Sequence, residues 1–133
     1  MDEVEMDPLR HGRALSDALK VFHRALIRAE IGDDPVLNNP YTMLFALIDN
    51  PGFAWMGTLS RLITRIDEHT VDGTIEEPGV LGAYRSEAAA LIGEGESEAD
   101  PVFRLHHLMA LQKEPAVGLA TGRLRQTIAG IPV

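Results

Sequence analysis

Cysteine is missing from this chain of 133 residues. Disulfides, thiolate metal sites and thiol nucleophiles are excluded together, and the composition fits a reducing compartment. No apolar run approaches the ~20 residues of a membrane span. The opening "MDEVEMDP" is acidic and polar, where a secretory leader needs a basic start and an apolar stretch. The chain is therefore expected to be cytoplasmic. Strand signals are lacking as well: no segment alternates apolar and polar residues, and "DGTI" is too short to count.

Catalytic signatures are equally sparse. No G-x-S-x-G elbow surrounds Ser16, Ser60, Ser86 or Ser97. Ser60 is expected to bond a preceding helix carbonyl or to face solvent. There is no G-x-x-x-x-G-K loop and no G-x-G-x-x-G following a strand. A di-iron bundle would carry Glu-x-x-His pairs, but the residues three before the histidines are Pro8, Lys20, Ile66, Phe103 and Arg104. Asp67, Glu68 and His69 are consecutive, so on a helix they diverge and do not meet on one substrate atom.

What is present is helical punctuation. The length suits one domain over 1–133, with 1–7 as an acidic, flexible N-terminus. A chain this long buries roughly two-thirds of its unfolded surface without covalent staples. Asp7 before Pro8 reads as an N-cap with proline at the first helical position. Leu15, Leu19, Phe22 and Leu26 then form one helical face, and "IGDDP" stops the helix. A short second helix is expected over 40–49. A third starts at Pro51, capped by Asp49 or Asn50, with Trp55, Leu59, Leu62 and Ile66 as its stripe and Ile63 beside it.

A fourth helix covers about 79–93, favoured by its alanines, with the narrow stripe Val80, Tyr84, Ala88 and Leu91. "EGESEAD" is an acidic linker, and Asp100-Pro101 starts a fifth helix. Pro115 would cost a helix a hydrogen bond, so a break is expected there. Val117, Ala120, Leu124, Ile128 and Ile131 carry the packing face onward. The reading is all-α: a bundle of five to six helices, several of them begun by an acidic residue or Asn followed by Pro. Gly118 and Gly122, four apart, are positions where two helices could approach.

Two surfaces carry functional alternatives. Between residues 8 and 28 stand Arg10, Arg13, Lys20, Arg24 and Arg28 against one negative charge, Asp17. The face is either merely solvated or meets an acidic partner, a nucleic-acid backbone or the chain's own "EGESEAD" segment. A protein partner is favoured over nucleic acid, because the chain carries a net charge of -8 and no aromatic interleaves the stripe for base stacking. The alternative is a metal- or small-ligand-binding bundle using His23, His69 and one of His106 or His107, two neighbours that point about 100° apart. No cofactor and no membrane partner is expected. The thin apolar face of the fourth helix suggests a homodimer.

Three stretches, "LKVFHRALIRAE" (19–30), "DNPGFAWMGTLSRLITRIDE" (49–68) and "EPAVGLA" (114–120), resemble a bacterial family of small all-helical proteins without known activity. The resemblance implies a helical bundle and assigns no functional residue. The function expected from the sequence is a non-enzymatic protein-interaction module, with self-association as one form of it.

Overall fold

A computed structural model describes residues 7–32, 51–95 and 100–132. The helix expected over 40–49 lies outside them. Five α-helices run through the described residues: α1 (Pro8–Ile31), α2 (Gly57–Asp72), α3 (Val80–Leu91), α4 (Pro101–Lys113) and α5 (Pro115–Ala129). Two 3₁₀ turns, Pro51–Met56 and Thr74–Glu76, flank α2, and the described residues hold no strand. The protein is an all-α helical bundle. None of the described helices is long and apolar enough to cross a membrane.

α1 is the hub. Asp7 accepts from the Arg10 amide at 3.3 Å and caps it. Leu15, Leu19, Phe22 and Leu26 are fully buried and give the other helices one continuous apolar wall. α5 lies along α1 and returns Val117, Ala120, Leu124 and Ile128 to it, with Ile131 buried just beyond the helix end. α2 crosses the other side of α1 and inserts Leu59, Leu62 and Ile66.

Two details depart from the sequence reading. Pro51 opens a 3₁₀ turn, and α2 begins only at Gly57. A period of three puts Phe53 and Met56 on the same side, and both are buried. Trp55 is turned sideways, T-shaped to Phe103 at 5.3 Å and stacked on His106 at 4.5 Å. The close helix approach is at Gly12, and not at Gly118 or Gly122, which have open space where a Cβ would stand. A Cβ on Gly12 would meet Thr70 Oγ1 at 2.9 Å.

The break at Pro115 divides α4 from α5, and Glu114 caps the second helix by accepting from the Ala116 amide at 3.2 Å. Asp100 caps α4 through the Val102 and Phe103 amides. Its second oxygen accepts from Thr58 at 2.9 Å, which ties the start of α4 to the start of α2.

Candidate protein-docking groove

The histidines are dispersed among separate partners. His23 on α1 lies 3.2 Å from Ser60 on α2. His69 near the end of α2 meets the Tyr84 hydroxyl at 2.5 Å. His106 is half-buried under Trp55. His107 is buried, so of the adjacent pair it is the one that faces inward. These four imidazoles do not gather. Among the described residues no group of three or more histidines, cysteines or carboxylates is placed to hold a metal ion.

The Ser60–His23 contact corrects the expectation that Ser60 bonds a helix carbonyl or faces water. The carbonyl bond belongs to Thr64, which donates to Ser60 O at 3.0 Å. A serine and a histidine in contact raise the question of a nucleophile. Among the described residues, however, Ser60 is the hydrogen-bond partner of the His23 ring, and no carboxylate is bonded to the imidazole to orient it as a triad requires. Burial, and then the Arg24 guanidinium, hold the His23 pKa below its usual value. The pair is a polar bridge between two helices.

Asp67, Glu68 and His69 diverge as helical geometry requires. Asp67 turns to α1, accepting from Ser16 at 2.5 Å and pairing with Lys20 at 3.0 Å. His69 turns to α3, and Glu68 is exposed.

The basic face of α1 divides in the same way. Lys20 is held by Asp67, while Arg10 and Arg13 are exposed towards the N-terminal end. Arg24 and Arg28, one turn apart, line a groove of ≈ 1050 Å³ between the C-terminal half of α1 and the first two turns of α5. Its floor is apolar: Val21, Ala25 and Ile31 from α1, Ala116 and Ala120 from α5. Leu119 stands on its rim, 79% exposed.

The charge of this groove is opposite to that of the molecule. Among the described residues, Arg24, Arg28, Lys113 and Arg123 line it against one carboxylate, Glu114. Glu114 stands 3.9 Å from the Arg28 guanidinium, whose side chain is 76% exposed. Several basic groups elsewhere sit against acceptors: Arg65 on Glu87 at 2.7 Å, Arg125 on Glu94, Arg104 on His107. A second hollow, beside Trp55 and His106, encloses only ≈ 10 Å³, about one water.

Lys113, Leu119 and Arg123 are among the groove residues that sequence reasoning did not single out. A signal for part of them existed, since Leu119 and Arg123 are four apart and lie off the Val117–Ala120–Leu124 face. Only the pairing of α5 with α1 sets them opposite Arg24 and Arg28.

No family model matches the chain, and neither a curated protein nor a solved structure matches it.

Proposed function

We propose that this chain is a non-enzymatic protein-interaction module of the cytoplasm that receives an acidic partner in the groove between α1 and α5. The observation that carries the reading is the combination of apolar floor and cationic rim on a chain of net charge -8. Exposed charge by itself is ordinary. Four cations gathered around a concave apolar surface are not, because the one described carboxylate among them, Glu114, offsets only part of their mutual repulsion. A volume of ≈ 1050 Å³ lies at the upper end of the range of small-molecule pockets. Nucleic acid is disfavoured by the overall charge.

A photo-reactive amino acid at Leu119 tests the reading in cells. A protein adduct that disappears when Arg24 and Arg123 are both replaced by Glu supports it. Absence of any protein adduct rejects it.

A second reading, self-association, rests on a different surface. Val102, Leu105, Leu108 and Met109 line the outer side of α4, each about half exposed. The stripe carries no charge, so a second copy of the same face is the partner least opposed by the mutual repulsion of two acidic chains. Sedimentation at several concentrations decides it. A dimer that Leu105→Glu dissociates supports it, and a monomer throughout removes it.

A further inference from the structure

We infer that the segment received by the groove is an amphipathic helix of about three turns, with carboxylates on both flanks of its apolar stripe. The inference rests on the reading of the groove as a protein-docking surface and names the partner's chemistry.

The walls decide the conformation. An extended peptide is held by main-chain bonds to a sheet edge, and both walls here are α-helices, whose backbone groups bond within themselves. A polyproline segment docks between aromatic rings, and none of the described residues lining the groove is aromatic. What remains is a helix laid between helices, reading its anchors at i, i+3, i+4 and i+7. The floor suits that occupant. Ala25 and Ala120, both buried, keep its base shallow in side chain, so another helix can come close.

The length and the charges follow. Along α1 the groove runs from Val21 to Gly32, a rise of about 16 Å, or three turns. Arg24 and Arg28 stand on one wall, Arg123 on the other and Lys113 at the end. Cations on both sides of an apolar floor match acidic residues on both sides of an apolar stripe. Glu114 already occupies one such position from within, opposite Arg28.

The test uses the full chain and a labelled helical peptide of about 14 residues, with one leucine stripe flanked by glutamates. Three counterparts accompany it: the same composition scrambled, lysine for glutamate, and a proline-broken acidic version. Arg24, Leu119 and Arg123 are exposed, so Arg24→Glu/Arg123→Glu and Leu119→Asp leave the fold intact, as circular dichroism checks. The expected result is binding of the acidic helical peptide, weakened about tenfold or more by each variant and by scrambling, and absent for the lysine peptide.

Equal binding of the scrambled or proline-broken peptide overturns the helix. Affinity unmoved by either variant overturns the groove as its place, and failure of every peptide overturns the inference outright. A dimer dissolved by Arg24→Glu/Arg123→Glu makes the occupant a second copy and also overturns it. A protein adduct at Leu119 that persists while the peptides fail leaves the docking reading standing and removes only the helix.

Discussion

His107 Nε2 lies 3.0 Å from Thr121 Oγ1, joining α4 to α5 across the break at Pro115. The direction of the bond can be derived. The Arg104 guanidinium is 2.6 Å from the other ring nitrogen, Nδ1, and a guanidinium only donates. Nδ1 is therefore the acceptor, and Nε2 carries the hydrogen and donates to Thr121. The Thr121 hydroxyl passes its own hydrogen to the Val117 carbonyl at 2.7 Å. The ring meets Phe22 edge to face at 5.1 Å, inside the core.

Thr121→Val keeps the shape and removes the acceptor. The buried Nε2–H is then unpaired, at a cost of about 1–3 kcal/mol. Thr121→Ser keeps the hydroxyl and loses a methyl, so it should cost less than Val. Urea unfolding of the two variants gives the order. A Val variant as stable as the parent would mean that the imidazole bond contributes nothing.

The same ring makes stability depend on pH. Burial first, then the Arg104 and Arg125 charges, lower the His107 pKa from 6.5 to about 4. Between these values the unfolded chain takes up a proton that the folded chain refuses, so folding weakens as pH falls. The contribution is whole above about 6.5 and declines towards pH 4, by about 3 kcal/mol in total. His23, lowered mainly by burial, acts with the same sign. Asp100 is lowered chiefly by the Phe103 amide, and its loss comes at lower pH. The measurement is the slope of unfolding free energy against pH between 6.5 and 4.5. His107→Gln should flatten that slope whatever it does to stability at neutral pH. An unchanged slope would place the titration elsewhere.

The fold was legible where a chemical rule acts locally. Asp7-Pro8 and Asp100-Pro101 mark helix starts because a carboxylate accepts orphan amides and proline spends none. The spacing of Leu15, Leu19, Phe22 and Leu26 marks a buried face because 3.6 residues make a turn. The 3₁₀ turn at Pro51–Met56 was not legible, since it answers to Phe53 and Met56 seeking the same core. The groove was half legible. Arg24 and Arg28 stand out in the sequence, but Lys20 at the same spacing is drawn off by Asp67, 47 positions away. Lys113 and Arg123 acquire meaning only once α5 lies beside α1.

Gly12→Ala should destabilise the protein, although alanine favours helix by up to about 1 kcal/mol. The new methyl would stand 2.9 Å from Thr70 Oγ1 and 3.4 Å from Ile75. Thr70 cannot easily give way, because its hydroxyl donates to the Ile66 carbonyl at 2.7 Å and its β-carbon is branched. Overpacking of this kind costs about 1–3 kcal/mol, so the clash outweighs the propensity. Adding Thr70→Ala should restore much of the loss. A double-mutant cycle by thermal or urea unfolding measures the coupling. Additive effects would mean that the helices yield freely at this point.

The division of the α1 cations predicts opposite behaviour for two charge reversals on one helix. Lys20 is 3.0 Å from an Asp67 oxygen, and the other Asp67 oxygen accepts from Ser16 at 2.5 Å. Lys20→Glu sets a carboxylate against a carboxylate that Ser16 holds in place. Both side chains are nearly half exposed, so water screens the repulsion, and the cost is about 1 kcal/mol or less. Arg24→Glu, four residues on, lies in the groove beside other cations. It should leave the unfolding free energy within about 0.5 kcal/mol of the parent, with the urea midpoint nearly unmoved, while lowering affinity for the acidic peptide. Lys20→Glu should lower the midpoint and leave that affinity nearly unchanged, apart from a long-range term that salt removes. Paired measurements of urea midpoint and peptide affinity on the two variants decide it. If both variants moved the same quantity, the basic face of α1 would be one surface, and the separation of a structural lysine from docking arginines would fail.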